Sequence, residues 1–303
     1  MLSELFYWLF NMSISASIAG IIILLIGKVK KLPRRFAHFM WIIPFLRMWI
    51  PVGVSGKYSL MTLISKYTSR TVPIYEGILD LTITNHIMAA SEYSPLSYKV
   101  KLLDDLFTAA FIVWVIVAVA LLVVSAVQYF SAKNEIKNAV LLRDNIYKSD
   151  RITIPATYGV FNPRIIIPEG YVNLDLKYVL AHETAHINRR DNFWRIIAFV
   201  TATVHWFNPL SWFFLKNFLE ETELACDEQV LEDLGEDEKK AYATALVDCA
   251  ESRNVFVSSF GGAGIRLRID RILSYRRLSV LSIICFTMFA FAIGYVLLTN
   301  ASY

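Results

Sequence analysis

Long apolar stretches separated by short charged segments form the main pattern of this sequence. Four of them reach the length of a membrane helix, at residues 5–27, 36–54, 107–130 and 279–299, since a spanning helix needs about 20 mostly apolar residues. The second stretch is the weakest because it contains Pro44, Arg47 and Pro51. The pattern predicts a mainly α-helical integral membrane protein with four transmembrane helices.

Composition and charge support this prediction and suggest an orientation. Of the 303 residues, 56% are apolar or aromatic and 18% are charged, whereas soluble proteins carry about a quarter charged residues. The net charge of +4 is too small to indicate direct nucleic-acid binding. Lys and Arg are concentrated in residues 28–35 and 266–277. Because cytoplasmic loops carry an excess of Lys and Arg, we expect both clusters inside the cell.

This orientation predicts the domain organisation. Residues 1–130 form a membrane region with an outer link at 55–106, residues 131–278 form a cytoplasmic domain, and residues 279–303 form the fourth span and a short outer tail. Both termini then lie outside. Two of the three cysteines fall in the inner domain and one in the last span, and reduced thiols are expected inside the cell.

The inner domain contains the metal-binding motif His182-Glu183-Thr184-Ala185-His186. On a helix, residues four apart share one face. His182 and His186 can therefore bind one Zn²⁺ ion, while Glu183 acts as general base on the water bound to that ion. The alternative interpretation is a pair of core histidines on a buried helix.

A catalytic zinc site takes a third protein ligand and keeps one position open. The acidic helix predicted at residues 219–228 offers Glu223 and Asp227, whose side chains share one face because they are four residues apart. We take Glu223, which has apolar neighbours, as the ligand. Asp227 then orients a ligand histidine or adds to the coordination.

The apolar stretch at residues 196–215 carries no formal charge and is long enough to cross a membrane. A single crossing would separate the two halves of the metal site, so the metal assignment requires an even number of crossings. We predict a helical hairpin broken near Asn208-Pro209, since the residue before a proline avoids the α conformation. His205 in this hairpin is either an oxyanion-stabilising group or, as we prefer, a structural histidine.

Two local features flank the motif. Residues 158–168 predict a turn and a short strand bounded by prolines. This strand is either an edge strand, which can bind a peptide by strand addition, or a plain core strand. We interpret Asp191 as structural, either pairing with Arg189 or Arg190 or capping a helix.

Taken together, these residues resemble the integral-membrane zinc metallopeptidases of the BlaR/MecR antirepressor type. The similar segments, which extend over most of the chain, are TYGVFNPRIIIP, HETAHINRRD, HWFNPLSWF, ELACDEQVL and RLRIDRIL. The resemblance implies a cytoplasmic α+β, zincin-like metalloprotease domain in a multi-pass protein of the bacterial cytoplasmic membrane. It also implies a role in signal transduction and antibiotic resistance, with a cytoplasmic DNA-binding repressor as the downstream target.

The resemblance further implies self-cleavage. In β-lactam-sensing members, a penicillin-binding domain follows the fourth span, and the protease cuts itself at a Ser-Phe pair in a loop. The corresponding residues here are Ser259 and Phe260, where VFVSSF can extend as a strand before the glycines at 261, 262 and 264. Since the sequence ends four residues after the fourth stretch, we expect either a shortened sequence or a member without that sensor.

Three other functions stay open. The acidic helix and membrane setting are also similar to those of CAAX-prenyl-protease-like enzymes, which act in processing or quality control. A non-catalytic zinc-stabilised receptor is less favoured, because a structural zinc needs no general base such as Glu183. A transporter or channel would have Arg47 as the only charge within a span. The expected partners are the lipid bilayer and a peptide or protein substrate, with a homodimer as one option.

Overall fold

The computed structural model of the protein describes residues 2–29, 32–50, 54–62, 101–171, 176–251 and 264–301. Within these ranges the helices are α1 (Leu2–Gly27), α2 (Arg34–Met40), α3 (Ile42–Trp49), α4 (Lys101–Glu135), α5 (Lys177–Arg189), α6 (Asp191–Val204), α7 (Pro209–Asp233), α8 (Glu236–Glu251), α9 (Ile265–Ser274) and α10 (Val280–Leu298). The strands are β1 (Ser55–Gly56), β2 (Val140–Arg143), β3 (Ile146–Ser149), β4 (Ala156–Tyr158), β5 (Arg164–Pro168) and β6 (Asn300–Ala301).

Three helices of the described part are long and apolar enough to cross a membrane, namely α1, α4 and α10. They correspond to three of the four predicted spans. Apolar side chains along α4 are largely exposed, as Ile116 and Val127 illustrate with exposed fractions of 63% and 60%. An exposed apolar face of this extent is expected for a helix that contacts lipid.

The predicted second span at residues 36–54 is not one continuous helix. It is divided at Trp41 into α2 and α3, which have seven and eight residues. The break has a local cause, since Pro44 has no N–H group to donate to the carbonyl of Met40 and is accommodated only in the first turn of a helix. In the part of the chain that the structure describes, three of the four predicted spans are single helices long enough to cross a membrane, and the fourth is not confirmed.

Arg47 has a structural role in this region. It is buried in α3 and donates a hydrogen bond to the carbonyl of Leu297 at the end of α10, where carbonyls lack partners within the helix. Next to this contact, β1 pairs in parallel with β6, and Ser59 donates to the carbonyl of Thr299. The ends of α3 and α10 are thus joined.

The two basic clusters lie together at the opposite end of these helices. Arg34, Arg271 and Arg276 line one cavity there, beside the residues that connect α1 to α2 and α9 to α10. The structure thus brings together the two segments that the charge pattern predicts on one side of the membrane.

The sheet decides between the two alternatives for the proline-flanked strand. The strand order is β2-β3-β5-β4, so the proline-flanked strand β5 is internal and not an edge strand. Pro168 stands at its end and Pro163 precedes it, so the buried Ile165 and Ile166 between them pair with residues of both neighbouring strands. The edge strand beside the histidine helix is β4.

The helical hairpin predicted for residues 196–215 is confirmed. α6 ends at Val204, and α7 begins at Pro209. The Asn208 side chain accepts a hydrogen bond from the Leu210 N–H at 3.0 Å, an N-cap with proline in the first helical position. The hairpin packs closely on α1, because a Cβ on Gly20 would come within 2.3 Å of the Phe214 ring. This turn brings α7 back to α5.

Candidate metal centre

The two histidines of the motif lie one turn apart on α5 and point to the same place. His182 and His186 are both 6% exposed, and their Nε2 atoms are 3.1 Å apart. α5 ends directly after them, where Arg190 takes a left-handed conformation with φ of 55°. This turn changes the direction of the chain before α6, and both imidazoles line a cavity.

Glu223 of α7 reaches the same place, as the spacing analysis predicts. Its Oε2 lies 3.6 Å from Nε2 of His182, and its Oε1 lies 3.7 Å from Nε2 of His186. Two imidazole nitrogens and one carboxylate on an open cavity are the donor set of a catalytic zinc site with one position left for water or substrate. The residues present therefore fit a zinc ion.

Cys226 offers a second donor set with the same histidines, since their ligand atoms lie within 4.8 Å of one another. Its Sγ, however, is 3.5 Å from Nδ1 of His182 and 3.3 Å from the His182 carbonyl oxygen. Cys226 is fully buried and is not among the residues that line the cavity. Of the two groups, Glu223 is the one that lines the cavity beside both Nε2 atoms.

Each histidine carries an acidic partner on its other nitrogen. Asp227 Oδ1 lies 3.3 Å from Nδ1 of His182 and accepts a hydrogen bond from the Tyr242 hydroxyl at 2.7 Å. Asp191 Oδ2 lies 2.6 Å from Nδ1 of His186. Such partners orient a ligand histidine and set its tautomer, which leaves the Nε2 atoms for the metal.

Asp191 therefore does more than the structural role we assigned to it. It pairs with Arg189, whose Nε lies 3.1 Å from Oδ1, as one of our alternatives stated. In addition it holds His186. The sharp turn at Arg190 folds Asp191 back over the preceding helix, and that turn has no clear signal in the sequence.

Charge interactions shift the pKa values of these groups in a consistent direction. Burial alone would lower the pKa of His186, but the Cys226 thiol and the hydrogen bond to Asp191 raise it to about 9. Burial alone would raise the pKa of Glu223, but His182 and His186 hold it well below its usual value. The metal-free site therefore favours protonated imidazole next to ionised carboxylate.

Glu183 lies beside the candidate ligands and lines the same cavity. It is 8% exposed, and its Oε2 accepts a hydrogen bond of 2.7 Å from the Thr157 hydroxyl of edge strand β4. Asn192 of α6 donates to the carbonyls of Thr157 and Gly159, both at 3.0 Å. These hydrogen bonds hold strand β4 and the Glu183 carboxylate next to each other at the cavity.

Two arginines flank Glu223 from different helices. Arg195 of α6 donates to Oε1 of Glu223 at 2.6 Å, and Nη1 of Arg268 in α9 lies 3.4 Å from Oε2. Both line the cavity. Sequence reasoning missed both, and also Thr157 and Tyr242, since neither spacing nor motif connects them to the histidines.

His205, another predicted site residue, is not part of this arrangement. His205 is fully buried, and its Nδ1 donates to the Thr201 carbonyl at 3.0 Å. Its ring lies near those of Trp49 and Phe207, away from the cavity. The predicted self-cleavage pair Ser259 and Phe260 lies outside the described residues.

The apolar helices and a buried His, His, Glu cluster with a neighbouring base define a class, the membrane metallopeptidases. The model of the family described as BlaR1 peptidase M56 matches residues 7–272, and the chain belongs to that family. It is 34% identical over 112 residues to the regulatory protein BlaR1 of Bacillus licheniformis, covering 35% of this chain and 18% of the relative. It is 29% identical over 126 residues to that of Staphylococcus aureus, covering 39% of this chain and 22% of the relative. The similarity thus spans about a fifth of each curated relative.

Proposed function

We propose that this protein is a membrane-embedded zinc endopeptidase that acts on the cytoplasmic side in signal transduction. One observation carries the proposal, namely the convergence of His182 Nε2, His186 Nε2 and the Glu223 carboxylate beside Glu183 in one cavity. A zinc receptor without catalysis would need the ligands but no carboxylate base held in the cavity by a hydrogen bond.

The described side chains have separate tasks in this proposal. When bound, zinc supplies a nucleophilic water at neutral pH and polarises the substrate carbonyl. Glu183 accepts a proton from the nucleophile and later delivers it to the leaving amine. Thr157 holds that carboxylate, with 2.7 Å between hydroxyl and Oε2. Asp191 and Asp227 orient the two histidines.

The cellular part of the proposal is supported by charge and by the relatives. Two basic clusters meet at one end of the membrane helices, and such clusters favour the cytoplasmic face. The two curated relatives are named regulatory proteins. We propose that this protein cuts itself between Ser259 and Phe260 and then relieves the action of a cytoplasmic DNA-binding repressor.

Self-cleavage is tested in membranes from cells that express an N-terminally tagged chain. The wild type is expected to give a tagged fragment of about 260 residues, the length up to Ser259, because the bond lies in the segment between α8 and α9. The fragment should be lost in Glu183→Gln and in Phe260→Arg. The variant Glu236→Gln serves as a matched control, since that carboxylate is 86% exposed.

The fragments separate the outcomes. A fragment that persists in Glu183→Gln means that another protease cuts the chain, and it contradicts self-cleavage. Loss of the fragment in the Glu236→Gln control would show a loss of expression or folding. If wild-type membranes give no fragment but cleave an added peptide, the endopeptidase proposal stands and the self-cleavage part fails.

A further inference from the structure

A side chain far along the sequence from the histidine motif reaches the centre of the site. Arg268 belongs to α9 and is 5% exposed. Its Nε donates to Oδ2 of Asp227 at 2.8 Å, and its Nη2 donates to Oδ1 of the same carboxylate at 2.7 Å. Two parallel hydrogen bonds of this kind fix both the distance and the plane of the carboxylate.

The same guanidinium contacts two candidate metal ligands. Nη1 lies 3.4 Å from Oε2 of Glu223, and Nη2 lies 3.4 Å from Nε2 of His182. Asp227 lies against the opposite nitrogen of that histidine, with 3.3 Å between Oδ1 and Nδ1. Arg268 thus touches one carboxylate ligand directly and holds the group that orients a histidine ligand.

Burial explains why this position needs a cation. Asp227 is 2% exposed, and a buried carboxylate without a counter-charge is strongly unfavourable. Arg268 supplies that charge from inside the protein. Removing it would favour protonation of Asp227 or its rotation away from His182, and either change would release the imidazole from its orientation.

Geometry explains why the cation is an arginine. A guanidinium presents a planar fork that binds one carboxylate through two nitrogens and still has a third nitrogen for another group. Here the third nitrogen is Nη1, which faces Glu223. A lysine would keep the charge but could not make the paired bonds to Asp227 and reach Glu223 at the same time.

We propose that Arg268 is a positioning residue of the metal centre, which sets Glu223 directly and His182 through Asp227 in the arrangement that binds the ion. The inference rests on the proposed function in taking Zn²⁺ as the ion. It assigns α9, which directly precedes the membrane helix α10 in the chain, to the metal centre.

The test compares the Zn²⁺ affinity of full-length protein in detergent by competition with a chromogenic chelator. Arg268→Gln is expected to bind Zn²⁺ about 10- to 100-fold more weakly, the usual effect of losing a group that orients metal ligands. Arg268→Lys should fall between this variant and the wild type. Arg266→Gln is the matched control, because Arg266 is exposed two residues earlier on α9, and its affinity should equal that of the wild type.

A second readout separates positioning from simple stability. Co²⁺ bound in place of Zn²⁺ should show a changed visible absorption spectrum in Arg268→Gln, since the ligands are no longer held in the same geometry. A lower melting temperature with unchanged Zn²⁺ affinity and Co²⁺ spectrum would overturn the proposal. If Arg268→Gln does not fold, Arg268→Lys decides, and wild-type affinity in that variant overturns the proposal as well.

The outcome is independent of peptide cleavage. A wild-type protein that binds Zn²⁺ but cleaves no peptide contradicts the proposed function and leaves the affinity comparison valid. A wild-type protein that cleaves peptides, together with an Arg268→Gln variant of unchanged Zn²⁺ affinity, contradicts the positioning role alone.

Discussion

His186 and His205 are both buried, but they differ in the groups that surround their ring nitrogens. His186 has a carboxylate on Nδ1, and its Nε2 faces a cavity and a second imidazole. His205 has a backbone carbonyl on Nδ1 and aromatic rings around it. Burial alone would lower the pKa of His186, but Cys226 and the hydrogen bond to Asp191 raise it to about 9.

The difference shows what turns a buried histidine into a candidate ligand. Burial alone makes the imidazole neutral and leaves it as a packing group. An acidic partner on one nitrogen keeps the ring oriented and electron-rich, and a cavity on the other nitrogen leaves room for an ion. The four predictions below compare the metal centre with the His205 site, from the largest expected effect to the smallest.

Loss of the third ligand should have the largest effect. Glu223→Ala removes the only carboxylate of the described part that faces both Nε2 atoms, so bound zinc should fall from about one per chain to near zero after dialysis. Zinc is measured by elemental analysis of purified protein. Glu220→Ala, three residues earlier on α7, should keep its zinc. Full zinc in Glu223→Ala would point to Asp227 or Cys226 as ligand.

Proton competition should give the second largest effect. Because the pKa of His186 is raised to about 9 in the metal-free protein, its imidazole carries a proton at neutral pH, which Zn²⁺ must displace. The pKa of His182 is also raised well above its usual value, by Cys226, Tyr242 and Asp227 against the effect of burial, so apparent Zn²⁺ affinity should rise with pH from neutral through about 9. Calorimetry in buffers of different ionisation enthalpy should show proton release at pH 7, and binding without proton release would contradict the assignment.

Loss of the hydroxyl that holds the base should have a moderate effect. Thr157→Val removes the hydrogen bond to Glu183 with little change in shape, and kcat for a peptide substrate should fall about tenfold while KM and zinc content stay unchanged. Thr157→Ser should restore most of the activity. An unchanged kcat in Thr157→Val would show that the base needs no support from β4.

The motif helix and the position of Glu223 beside it could be anticipated from the sequence for a physical reason. Spacing of four residues on a helix fixes which side chains share a face. Since His182 and Glu223 must lie on the same side of the membrane to bind one metal ion, the apolar stretch between them had to form a hairpin. Tyr242 and Arg268 could not be found in this way. They reach Asp227 through the packing of α8 and α9. The sequence of one helix does not indicate which distant helix it will pack against.

The points at which the fold differs from the simplest sequence expectation also have local causes. The apolar run at residues 36–54 was long enough to span, but Pro44 removes a hydrogen bond in the middle of it and divides the helix at Trp41. The prolines around β5 left an edge strand and a core strand as alternatives. They bracket the strand without interrupting it, so β5 pairs with β3 on one side and with β4 on the other.

Replacement of His205 should have the smallest effect on the metal centre. His205→Leu should leave Zn²⁺ affinity and kcat within about twofold of the wild type, because His205 does not line the cavity. A large loss of zinc in this variant would place His205 in the site after all.

The central claim is that a carboxylate base works beside, and separately from, the metal ligands. The most direct measurement is zinc content and peptide cleavage on the same preparation of purified Glu183→Gln. We predict about one zinc per chain and no cleavage above background, because the ligands remain while the proton acceptor is lost. Cleavage at the wild-type rate in this zinc-loaded variant would contradict the account.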